Sequence, residues 1–169
     1  MGFLMFLARK IQLEHNQNNI QYQLMGINEK LNALTSYVSI LSQDTISATD
    51  IASIPTPLFS TGLNELMTVH QQAMQIGGAQ YQQAMASGVL GQNVDPTMAM
   101  ITQQKMYENA RKALQKQMQA KYNEEEKALQ AKKTRLEAQA KQIEVALQNI
   151  DQGISSGIQN SMSSFGLKG

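Results

Sequence analysis

Few side chains in this chain could do chemistry. Histidine occurs twice, as His15 and His70, and cysteine not at all. His70 has Met67 three residues before it and Met74 four after, so on a helix the three share a face, and Met98 and Met100 add further thioethers. One imidazole among soft sulfur ligands is a donor set suited to Cu(I). Methionine at helical spacing is more commonly what fills irregular gaps in a core, so no metal and no cofactor are expected. Glu124-Glu125-Glu126 points to three sides of a helix, so it cannot aim two carboxylates at one substrate. Gly77-Gly78 lacks both the spacing and the following lysine of a phosphate loop. Without a thiol, and with histidine so scarce, nucleophile–base pairs are scarce too. The expectation is no catalytic residue and no enzyme.

The elements that would carry these residues are long helices. Asp95-Pro96-Thr97 combines a side-chain cap with proline at the first helical position, where the missing N–H would have been unpaired anyway. From Thr97 to Gln152 there is neither Gly nor Pro, and good helix formers dominate. That stretch predicts a helix of about 85 Å at about 1.5 Å per residue, ending near Gly153. Within it Leu129, Leu136, Ile143 and Ile150 recur every seven positions, with Lys133, Ala140, Leu147 and Ile154 at the offset positions. This is a heptad seam, the pattern by which two helices wind together. Upstream, through Met106, Ala110, Leu114, Met118 and Tyr122, the register drifts, and a different neighbour is expected there.

The partner lies at the other end of the chain. Ile20, Leu24, Ile27, Leu31, Leu34, Val38 and Leu41 are spaced alternately four and three, an unbroken seam. Before it His15 to Asn19 is nearly all polar, a turn expected to be loosely packed, with His15 at the surface and Gln17 as a polar position in the seam. Between the seams, Ser47 and Asp50 have the spacing of a capping box. Ile54-Pro55-Thr56-Pro57 is expected to be extended, because residues before proline avoid the helical region. A helix capped by Ser60 or Thr61 then places Leu63, Leu66, Met67, His70, Ala73, Met74, Gly77, Tyr81 and Met85 on one face. Gly77-Gly78 is expected to kink it, and Gly88 and Gly91 to end it.

Composition narrows the class of function. The 169 residues carry a formal charge of +1, charged residues are only 16%, and 23 glutamines take much of their place. Amides cost less to bury than ions, so such a surface suits contact with copies of itself. No Lys or Arg lies between Lys30 and Lys105, whereas ten of the fourteen basic residues fall between Lys105 and Lys141. Few aromatics accompany those lysines, so a solvated helix face is expected and nucleic acid is not a partner. The absence of cysteine excludes disulfides and thiolate zinc sites. Phe3-Leu4-Met5-Phe6-Leu7 covers every side of a helical turn. Its charge, Arg9-Lys10, follows rather than precedes it, unlike a secretory leader, and the run is far shorter than the about 20 residues of a membrane span. It is expected to be buried against another subunit or, in the alternative, to touch a membrane surface.

In layout, the two heptad seams, Ile20 to Leu41 and Leu129 to Ile154, with a small neutral insert between them and no cysteine, resemble the axial proteins of flagellar and type III secretion systems: rods, needles and filaments. The apolar start at Phe3 to Leu7 differs from the Ser/Thr/Asn-rich start of that family. The resemblance implies terminal helices packed against neighbouring subunits and a place in an extracellular filament or other large assembly; a cytoplasmic place is the alternative.

The fold expected is all-α: a long antiparallel coiled-coil-type helical hairpin with a small helical and irregular insert. Its divisions are an N-terminal heptad helix (1–43), a low-charge insert with one helix (44–94), a long C-terminal helix (95–153) and a small-residue tail (154–169). The intramolecular seam is the seven residues from Ile20 to Leu41 with Leu129, Leu136, Ile143, Leu147, Ile150 and Ile154. Subunit contacts fall to Phe3, Leu4, Phe6, Leu7, Phe165 and Leu167. The function expected is that of a structural, self-assembling subunit whose partners are copies of itself and other proteins of the same assembly. The alternatives are a coiled-coil adaptor or chaperone-like module, and a membrane-surface helical protein.

Overall fold

A computed structural model describes residues 2–43, 46–91 and 95–164, with side chains placed from residue 3 to residue 160. Phe165 and Leu167 lie outside the described residues. Among the described residues there is no strand. The described residues form, in order, the helices α1 (Gly2–Leu41), α2 (Ala48–Ala52), α3 (Phe59–Ala86) and α4 (Pro96–Ser164), with a 3-10 turn at Thr56–Leu58 before α3. The protein is an all-α helical hairpin in which long helices pack side by side. The chain divides into two compact units, one of residues 2–29 and 128–164 and the other of residues 30–127.

The first unit is a pair of helices running antiparallel. Lys10 Nζ meets Asp151 Oδ1 at 2.7 Å, and the Phe6 ring lies where a Cβ on Gly153 would be 3.5 Å away. Ile20, Ile27, Leu136 and Ile150 are buried along the line of contact, and Leu24, Leu129, Ile143, Leu147 and Ile154 are half-buried. Two helices alone can each hide only one stripe, which is why so few side chains here are fully enclosed. Where His15 to Asn19 pass the partner helix, Asn16, Asn19, Gln139 and Gln142 line an open groove of about 390 Å³. Gln17 is half-buried and His15 exposed.

Near Gly153 the helix does not stop. α4 runs on through Gly153 and Gly157 to Ser164, so the division expected between a long helix and a separate tail is absent up to that residue. Glycine inside a helix costs about 1 kcal/mol relative to alanine. Contact between Gly153 and the ring of Phe6 offsets part of that cost.

The second unit has three packed helical segments. α1 stays antiparallel to α4, with Thr35 Oγ1 3.5 Å from Glu126 Oε1 and Gln119 Nε2 donating to Ser42 Oγ at 3.0 Å. Leu31, Leu34 and Leu41 are buried and Val38 half-buried, and a second stripe of Ala33, Tyr37 and Ile40 is buried as well. At Tyr37 this stripe meets α3, where the ring lies against Gly62. α3 also runs antiparallel to the first part of α4, and its enclosed residues are Gly62, Val69, Ala73 and Gly77. The neighbour expected for Met106 to Tyr122 is therefore α3.

Several local expectations meet their geometry here. Ser47 and Asp50 form a reciprocal capping box at α2, and Thr97 N donates to Asp95 Oδ1 at 3.1 Å at the start of α4. Gly88 and Gly91, at φ 71° and 79°, follow the end of α3 in the left-handed region that glycine enters without strain. Others are corrected. α3 starts at Phe59 directly from the 3-10 turn, with Leu58 before it and no side-chain cap, so neither Ser60 nor Thr61 caps it. Pro55 is extended at ψ 139°, but Thr56 and Pro57 already belong to the turn.

Candidate interaction surfaces

At Gly77 the backbones of α3 and α4 come into close contact. A Cβ built there would lie 2.9 Å from both Cα and N of Tyr107. Gly77-Gly78 does not break α3, which is continuous across both. The glycine instead serves the packing: with no side chain at Gly77 and only a methyl at Ala73, the two backbones come together. The long side chains nearby are displaced to the flanks. Met67, Met74, Met98 and Met100, expected as gap-filling core, are 56%, 59%, 57% and 67% exposed, and Met85 on the same face of α3 as Met67 and Met74 is 46% exposed. Small residues hold the buried line, and the methionines face outward.

Around this contact lie two clefts. The first, about 300 Å³, is walled by Ile51, Leu63, Leu66 and Val69 and closed at one side by His70 and Tyr107. The second, about 320 Å³, lies between Met74 and Gly78 of α3 and Met100 and Gln104 of α4. His70 Nδ1 is 2.7 Å from the Tyr107 hydroxyl, the two rings meet edge to face, and the Arg111 guanidinium stands 5.9 Å from the centre of the Tyr107 ring. Among the described residues no three His, Cys, Asp or Glu side chains are grouped to hold an ion.

A polar cluster in the core joins all three segments of the second unit. Tyr37 is fully enclosed, its ring edge-to-face with Tyr122 at 5.2 Å, and its hydroxyl is 3.2 Å from the Gly62 carbonyl and 3.4 Å from Glu65 Oε2. Tyr122 donates to the same carboxylate oxygen, and Lys121 Nζ reaches Glu65 Oε1 at 3.2 Å. Burial, then the charge of Glu65 and its hydrogen bond, push the Tyr37 phenol well above its ordinary value. Burial and the hydrogen bond to Glu65 do the same for Tyr122. The carboxylate takes hydrogen bonds from α1 and α4 while sitting on α3, so it fixes the rotation of the three against one another. No motif or periodic spacing in the sequence points to Glu65. The signal available was its position as the one acid between Asp50 and Asp95.

The thirteen residues assigned to the seam are all buried or half-buried, distributed over the two units as described. Phe3, Leu4, Phe6 and Leu7, assigned to subunit contact, are 47%, 69%, 43% and 39% exposed, and Met5 is 76% exposed. Lysines 105, 112, 116, 121, 127, 132 and 141 are exposed, and Glu124 and Glu125 with them. No described helix is long and apolar enough to cross a membrane. Compared with protein-family models, curated proteins and solved structures, the chain matches none.

Proposed function

We propose that this protein is a structural, self-assembling subunit of a filament, tube or secreted macromolecular complex, built through coiled-coil-type packing of its long helices. The observation that carries the reading is the run Phe3 to Leu7: five large apolar side chains in succession on α1, 39% to 76% exposed. A contiguous apolar patch on an isolated chain marks a contact surface. A single apolar turn without a basic face anchors weakly to a membrane, so another subunit is the better match. The low charge and abundant glutamine support the same reading, as does the layout shared with axial proteins of flagellar and type III secretion systems, which would place the assembly outside the cell.

A second reading draws on the cleft walled by Ile51, Leu63, Leu66 and Val69, whose apolar lining would suit one side of a partner's amphipathic helix, as in an adaptor. Mass measured over a concentration series, with negative-stain imaging of the same samples, separates the two. Self-assembly is expected to give particles that grow with concentration. A small oligomer of constant mass would favour the adaptor, and a monomer at every concentration would end the self-assembly reading.

A further inference from the structure

Residues 66–104 hold nine glutamines, five of the eleven methionines and one charged residue, Asp95. Over this stretch Met74, Met85, Val89, Met98, Met100 and Ile101 are all at least 41% exposed. The surface is preformed, because the backbones of α3 and α4 are locked together at Gly77 and Tyr107. Between Met74 and Met100 the surface is concave, with a cleft of about 320 Å³ edged by Gln103 and Gln104.

The chemistry of the surface selects its partner. A charged partner finds no complement across 39 positions with a single acid. Hydrocarbon would strip water from the glutamine amides and leave those without a partner in the chain nothing to bond, at a cost of several kcal/mol for each, while Gln104 keeps its bond to Glu108. A copy of the same surface supplies what both lack. Amides carry donor and acceptor together and so can pair with their own kind, and methionine adapts its shape to another methionine. In a two-fold contact the residues nearest the axis meet their own copies, so a face without charge there carries no like-charge penalty.

We propose that the α3–α4 surface around Met74 and Met100 is a contact between two copies of this chain, each presenting the same face. The inference rests on the self-assembly reading and adds a second interface to the one assigned to Phe3 to Leu7. A contact of one face with itself closes after two copies. Two different contacts on one chain let the pairs join further.

The test uses the full chain with Met74 and Met100 both replaced by glutamate, and a second chain with both replaced by lysine. Both positions are exposed, so helicity measured by circular dichroism is expected to match the unaltered protein. Each variant alone is expected to associate at least about tenfold more weakly over a concentration series, and an equal mixture of the two is expected to recover growth. A structural defect in either chain could not be cured by mixing. Variants that assemble as the unaltered chain does would overturn the inference and leave self-assembly standing. An unaltered chain that stays monomeric ends both. Variants that assemble normally but no longer sediment with phosphatidylcholine vesicles would assign the surface to lipid and also overturn it. If neither charged variant folds, Met74→Cys and Met100→Cys chains, mixed and oxidised, decide the matter. They are expected to form linked dimers faster than an exposed Lys132→Cys control, and equal rates would refute the contact.

Discussion

Gly77 and Gly26 are both helical glycines, and their surroundings give them opposite meanings. At Gly77 an added methyl would meet the backbone of Tyr107 at 2.9 Å, which only separation of α3 from α4 can relieve. Gly77→Ala is therefore expected to destabilise by about 1 to 3 kcal/mol, despite the better helix propensity of alanine. Gly26 has nothing within 4 Å of its would-be Cβ. There the propensity gain stands alone, and Gly26→Ala is expected to stabilise by about 0.5 to 1 kcal/mol. Thermal melts of the two variants should move in opposite directions. A shift of the same sign would mean that the close approach at Gly77 is not rigid.

The tyrosines around Glu65 make stability depend on alkaline pH. Both phenols are raised in the folded chain, so folding favours the protonated form. Their contribution is complete below the unfolded value, about 10, and is lost as pH rises above it toward the folded values. Denaturant midpoints measured from pH 8 to pH 11 are expected to be flat at first and then fall. In the double variant Tyr37→Phe with Tyr122→Phe that alkaline fall should be shallower, although the chain is weaker at neutral pH through the lost hydrogen bonds, each worth about 0.5 to 1.5 kcal/mol. An identical fall in the double variant would place its origin in other groups.

At the scale of elements, α4 is the helix on which the other long ones pack: α1 along one part of it and α3 along another. Leu136 is its best-enclosed heptad residue in the first unit, 7% exposed. Leu136→Ala is expected to cost about 2 to 5 kcal/mol, read from urea or thermal unfolding. A value near zero would mean that the two helices separate in solution. The pair Lys10 and Asp151 is a different case. Its 2.7 Å contact is solvent-exposed, and exposed ion pairs contribute little to stability, so it orients the helices more than it holds them.

For the molecule as a whole, the exposed apolar run at Phe3 to Leu7 lies in the first unit and the uncharged methionine surface in the second. Deletion of residues 2–8 is expected to leave helicity nearly intact, because those side chains are exposed, while abolishing high-order assembly. Under the two-interface scheme the shortened chain should stop at pairs. If it assembles as before but loses vesicle binding, Phe3 to Leu7 is a membrane contact.

Helix content, the start of α4 at Pro96, the capping box at Ser47 and the burial of Ile20, Ile27, Leu31, Leu34 and Leu41 could all be read from the sequence, because each follows from local spacing or from one residue's own geometry. The stripe of Ala33, Tyr37 and Ile40 was present in the same spacing, but a second stripe has meaning only once a third helix meets it, as α3 does at Tyr37. The methionines of α3 show the limit most clearly. By period alone Met67, Met74 and Met85 share a face with Ala73 and Gly77, and larger apolar residues are the expected core. The packing reversed that order, since the helix axes approach closest where side chains are smallest, and this depends on what stands opposite. Glycine opposite the Tyr107 backbone drew α3 and α4 together, put the small residues inside and left the long thioethers outside. A sequence records the size of every side chain; which sizes meet across an interface was decided only when the helices packed.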